Sequence, residues 1–136
     1  MADLFNAPAK PAPARNLHTD TAIYRAVAEL SKFVTRAAAD MRRDVKPLLG
    51  KMLIDETVWM AVVVRRANIA RDAAKLPHLE ELLEQVEIVQ VALHIARDCG
   101  YLHHSTFGNS IPLTTSVAKQ AMALLKTYAP APAPVA

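Results

Sequence analysis

Three glycines in 136 residues leave little material for tight turns, and aromatic side chains make up only 5% of the chain. Hairpin-rich β folds draw heavily on both, so their scarcity points to an all-α protein. A single cysteine, Cys99, excludes an internal disulfide. Long apolar runs are missing as well. The stretch WMAVVV, Trp59 to Val64, is six residues long and is closed by Arg65 and Arg66, whereas a membrane-crossing helix needs roughly 20. The opening MADLFNAPAKPAPAR has no apolar core behind a basic segment, so neither a signal peptide nor a membrane span is expected, and the location expected is cytoplasmic. No glycine-rich phosphate loop, GxSxG elbow or kinase signature occurs, and there is no CxxC, HExxH or paired Glu-x-x-His pattern. Catalysis, a metal and a cofactor are therefore not expected. Cys99, near His94, His103 and His104, is expected to act as a small buried hydrophobe, with the two later histidines in a loop.

What is present is helical periodicity between two Ala/Pro-rich ends. APAKPAPA (Ala7 to Ala14) and APAPAPVA (Ala129 to Ala136) favour extended polyproline-type chain. Residues 1–18 and 129–136 are accordingly expected as tails around one domain, 19–128. Its first helix should start near Asp20, with Ile23, Val27, Leu30 and Val34 along one face. A second should start around Asp44 to Pro47 and run to about Ala73, its inner face reading Leu49, Leu53, Glu56, Met60, Val63, Ala67 and Ala70 with Trp59 alongside. The third carries Pro77 in its first turn, Leu79, Leu82, Leu83, Val86, Val89, Leu93 and Ala96 inward, and Gly100 as C-terminal cap. Ile88, Val91 and Ile95 widen its apolar surface and point to a further neighbour, such as another subunit. The fourth covers about Leu113 to Tyr128, capped by Ser105 or Ser110, with Pro112 in its first turn or kinking it. Short connections, the middle one around Lys75 and Leu76, predict an antiparallel up-down-up-down four-helix bundle.

Charge is segregated along the chain. Residues 25–75 hold eleven Lys/Arg against six Asp/Glu, while residues 76–101 hold only Arg97 against Glu80, Glu81, Glu84, Glu87 and Asp98. Glu80 and Glu81 are expected in the first turn of the third helix, offsetting its dipole. Two basic clusters have no such local reason: Arg42, Arg43 and Lys46 at the first junction, and Arg65, Arg66, Arg71 and Lys75 late in the second helix. Residues of this kind neutralise phosphates, or alternatively pair with the acidic helix of a neighbouring subunit.

Three segments carry a resemblance: PLLGKMLID (Pro47 to Asp55), RRANIARDAAKLPHLEELLEQVE (Arg65 to Glu87) and LHIARDCGYLHH (Leu93 to His104). In their order, and in the Leu49–Gly50 pair entering the second helix, the chain resembles the accessory variability determinant (Avd) family of diversity-generating retroelements. Those bundle proteins are related to the ones encoded in ribosomal-RNA intervening sequences. The similarity runs from Ile23 to Lys126, about three-quarters of the chain. It departs at AMALLKTY, where family members often place a glycine and a tryptophan. The resemblance implies a non-enzymatic, pentameric protein with a basic surface that associates with a reverse transcriptase and its template RNA during mutagenic cDNA synthesis. Carried over by position, Arg65, Arg66 and Arg71 are the first expected contacts, and Arg42, Arg43 and Lys46 the next.

Overall fold

The computed structural model describes residues 21–130. Asp20, the Ala7–Ala14 tract and the tail beyond Pro130 lie outside the described residues. Within them are four α-helices and no strand: α1 Ala22–Ala39, α2 Lys51–Ile69, α3 Leu76–Asp98 and α4 His104–Tyr128. Each helix packs on two others, α1 on α2 and α4, and α3 on α2 and α4. The result is a helical bundle around one core. Val27, Leu30 and Val34 of α1 meet Leu53, Met60 and Val63 of α2, Leu82, Val89 and Leu93 of α3, and Val117 and Ala121 of α4. Leucine and valine recur there at helical spacing, which is what closes four amphipathic helices on one another.

The start of α1 is held by Thr21, whose hydroxyl accepts from the Tyr24 N–H at 3.3 Å. Its expected inward residues Ile23, Val27, Leu30 and Val34 are all buried. The second helical segment departs from expectation in two ways. It opens with a π-helical turn, Lys46–Gly50, that holds Pro47 near its start. It also ends at Ile69 rather than Ala73, after which Ala70 and Arg71 are extended and Asp72–Lys75 form a 3-10 turn leading directly into α3. Thr57 rather than Glu56 takes the buried position, bonding the Ser31 hydroxyl at 3.2 Å and the Ile54 carbonyl at 3.0 Å. Glu56 sits half-buried at the edge, where its charge stays in water. Gly50 is buried against α1, and a Cβ there would lie 3.3 Å from that of Ala38, so glycine permits the close approach of the two segments.

In α3 the buried set is Leu79, Leu82, Gln85, Val86, Val89, Ala92, Leu93 and Ala96; Leu83, expected inward with them, is only half-buried and packs at the core's edge. Because helical structure is already established at Asp72, Glu80 and Glu81 fall in the second turn of α3, and the dipole reason expected for them does not hold. Gly100, at φ 78°, ends the helix as expected, with its N–H on the Arg97 carbonyl.

The fourth helix is nine residues longer than expected at its start. It begins at His104 with His103 as N-cap, so neither histidine is simply a loop residue, and it continues through Pro112. Proline removes one N–H and crowds the carbonyl four residues back, here that of Gly108, which is exposed and reachable by water. Two hydroxyls serve neighbouring carbonyls. Ser110 donates to Phe107 O at 2.6 Å, and Thr114 to Ser110 O at 3.3 Å and Ile111 O at 3.1 Å. These side chains support the turn that the proline interrupts.

Among the described residues no helix is long and apolar enough to cross a membrane. Two substitutions test the backbone account by urea unfolding. Pro112→Ala should stabilise the protein by about 1–3 kcal/mol, by restoring a helical donor at an exposed site. Gly100→Ala should destabilise it by about 1 kcal/mol, because the left-handed conformation is costly for a residue with a Cβ.

Candidate nucleic-acid interface

Burial of Val63, Val64 and Ala67 turns the intervening Arg65 and Arg66 to the outside of α2. Trp59 lies seven residues before Arg66, two helical turns away on the same side. The sequence placed Trp59 beside the inner face, but its indole is 43% exposed. The Arg66 guanidinium lies 4.9 Å from the indole centroid, a cation–π contact that holds a long side chain at a defined place. The indole Nε1–H donates to Glu81 Oε1 of α3 at 3.3 Å, holding the ring by its edge. Arg71 follows on extended backbone, exposed, next to Asp72 at φ 51°, a conformation that aspartate tolerates better than most residues. The last turns of α2 and the chain just beyond them therefore present Arg65, Arg66 and Arg71 close together in sequence at one end of that helix.

Among the described residues the carboxylate pairs are Glu29 with Lys32, Asp44 with Arg42, Asp55 with Lys51 and Asp98 with Arg97. None involves Arg65, Arg66 or Arg71, so these guanidinium groups keep their charge available to an outside anion. Lys75 is placed differently from the other three. Its ammonium donates to Ala67 O at 2.8 Å and Asn68 O at 3.5 Å, and lies 5.4 Å from the Tyr128 ring centroid. It closes the carbonyl end of α2 and ties that end to α4. Beside it a cavity of about 480 Å³ opens, lined among others by Thr21, Ile23, Asn68, Leu124 and Tyr128.

The second basic cluster stands apart. Arg42, Arg43 and Lys46 are exposed at the junction of α1 and the π-helical turn, with Arg42 bonded to Asp44 at 2.9 Å. Nineteen residues of largely helical rise separate Lys46 from Arg65, about 28 Å. The structure thus forms two basic patches rather than one. Cys99 is exposed at the end of α3, not buried as the sequence suggested. His94 instead packs edge-on against Phe107, with centroids 4.6 Å apart, and the Arg97 guanidinium lies 4.4 Å from that ring's centroid.

No family model matches the chain, and no curated protein matches it either. The features that sequence reasoning missed are the Trp59–Arg66 stack and the engagement of Lys75. The first had a signal, an aromatic and an arginine seven residues apart on one helix; the second depends on where α2 stops. Lys75→Ala should destabilise the fold by about 1–2 kcal/mol in urea unfolding, since the α2 carbonyls lose a charged donor.

Proposed function

We propose that the protein is a non-enzymatic accessory protein of a diversity-generating retroelement, one that binds the reverse transcriptase and template RNA and supports mutagenic cDNA synthesis. The observation that carries this is the group of exposed arginines, Arg65, Arg66 and Arg71, with no carboxylate partner among the described residues. Guanidinium groups so placed neutralise phosphates and release counterions. Their position matches the segment on which the resemblance to the Avd family rests. Arg42, Arg43 and Lys46 form a second contact, on the same or a neighbouring phosphate backbone. The polymerase chemistry belongs to the partner.

The helices alternate in direction, up-down-up-down. This is supported by the lining of the end cavity, which draws together the start of α1, the end of α2, the start of α3 and the end of α4. The protein works in the cytoplasm as a homo-oligomer, a pentamer by resemblance. A second function class is a purely structural oligomerisation bundle, favoured by the exposed row Ile88, Val91 and Ile95 on α3.

Binding of the full chain to a structured RNA, followed by fluorescence anisotropy across a salt series, separates the two. The retroelement role predicts affinity that falls with salt. Arg65→Glu with Arg66→Glu should then weaken binding at least tenfold and lower the salt slope by about 2. Salt-insensitive behaviour, or unchanged affinity in the double variant, would leave the structural bundle.

A further inference from the structure

Helix α3 has two seams. The inner one is buried in the bundle, and the outer one, Glu84, Ile88, Val91, Ile95 and Asp98, repeats at spacings of four, three, four and three. That is the alternation by which one helix lies along another. Ile88, Val91 and Ile95 are 47%, 51% and 50% exposed, and together with Met52 and Leu49 they border a groove of about 430 Å³. Three large apolar side chains in line are too many for a solvated face. The charges at the margin of this seam are Glu80, Glu84, Glu87 and Asp98; the nearby cation Arg97 is bonded to Asp98 at 2.9 Å and covered in part by Phe107.

Helix α4 carries the complement. Ile111, Thr115, Lys119, Met122 and Lys126 follow one another at spacings of four, four, three and four. Ile111 and Met122 are exposed at 49% and 59%. From Cys99 to the end of the chain there is no aspartate or glutamate, so α4 itself brings only cations, Lys119 and Lys126, to its seam; the one carboxylate beside it is Glu87 of α3, in the groove shared with Ile111 and Thr115.

We infer that the acidic outer seam of α3 docks on the basic outer seam of α4 of a second copy of this chain. This rests on the self-association included in the proposed function and names its surface. The alternative, α3 against α3 about a two-fold axis near Val91, sets Glu84 against Asp98 and gathers acid on acid, which like-charge repulsion opposes. Pairing α3 with the arginines of α2, the other arrangement that charge permits, would bury the groups needed for phosphate. An α3-to-α4 contact joins two seams of unlike charge that flank one groove, lined by Glu87, Val91, Ile111 and Thr115, so copies close either as a two-fold pair, in which each seam meets its counterpart, or as a ring.

The pairing of unlike seams gives a decisive test, using the full chain in size-exclusion chromatography with light scattering. Ile88→Asp with Ile95→Asp disables only the α3 seam, and Lys119→Glu with Met122→Asp only the α4 seam. Each variant alone should run as a monomer of 14.8 kDa, and an equimolar mixture should form a dimer, since the intact α4 seam of the first meets the intact α3 seam of the second. A monomeric wild-type protein, either variant assembling like the wild type, or a mixture that stays monomeric would overturn the inference. Circular dichroism checks that both variants fold. Should either fail, Glu84→Lys with Glu87→Lys should raise the half-assembly concentration at least tenfold, and adding Lys119→Glu and Lys126→Glu to the same chain should reverse most of that rise; no rise, or no reversal, would equally overturn it. The outcome is separable from the RNA result, because a ring that binds no RNA supports this contact and removes the proposed function, whereas RNA binding by a protein that assembles through other faces does the opposite.

Discussion

Burial of the inner seam of α3 is the constraint on which the other features depend. Leu79, Leu82, Val86, Val89, Leu93 and Ala96 are withdrawn from water between α2 and α4, and each large aliphatic side chain so buried contributes about 1.5–3 kcal/mol of gross stabilisation. No exposed ion pair competes with that, since such pairs give about 0–1 kcal/mol each. Once this face is committed to the core, helical geometry leaves no choice for the rest. Glu84, Glu87, Ile88 and Val91 have to point outward. The outer seam is thus a consequence of the inner one, and it brings acid and apolar surface together on one side of the molecule.

The same logic distributes the basic charge. Core packing of Val63, Val64 and Ala67 sets Arg65 and Arg66 on the far side of α2, and the early end of that helix places Arg71 on extended chain beyond it. Trp59 and Glu81 then organise Arg66, and Lys75 is spent on the carbonyls that the helix end leaves open. One buried group stands out against this economy. Gln85 is 4% exposed, and neither its amide nitrogen nor its oxygen finds a partner among the described residues, although an unmet buried polar group costs about 1–3 kcal/mol. Nothing in the structure explains it.

Helix number, the inward residues of α1, those of α3 apart from Leu83, Gln85 and Ala92, and the glycine ending α3 were legible in the sequence because each follows from local periodicity or from one residue's conformational range. The boundaries that went astray did so for tertiary reasons. Pro112 looked like a helix start, but the hydroxyls of Ser110 and Thr114 let α4 run through it. The second helix was expected to reach Ala73, whereas Lys75 folds back to close it at Ile69. Glu56 and Thr57 compete for one inward position, and one residue of register, about 100° of helix rotation and invisible to counting, decides it for threonine. In the candidate site, the arginines were legible as a cluster and Lys75 was not legible as an exception. Separation of the two basic groups follows from the helical stretch between Lys46 and Arg65, which the periodicity of the sequence already indicated.

The central claim is that one end of α2 meets nucleic acid while the outer faces of α3 and α4 are engaged by protein. Photo-cross-linking of the full chain to structured RNA carrying 4-thiouridine, with mapping of the modified peptides, addresses it directly. The account predicts cross-links concentrated between Trp59 and Lys75, with at most a second group at Arg42 to Lys46, and none on the outer seams of α3 and α4. Cross-links centred on Ile88 to Ile95 or on Lys119 to Lys126, or none above the level of a non-binding control protein, would contradict it.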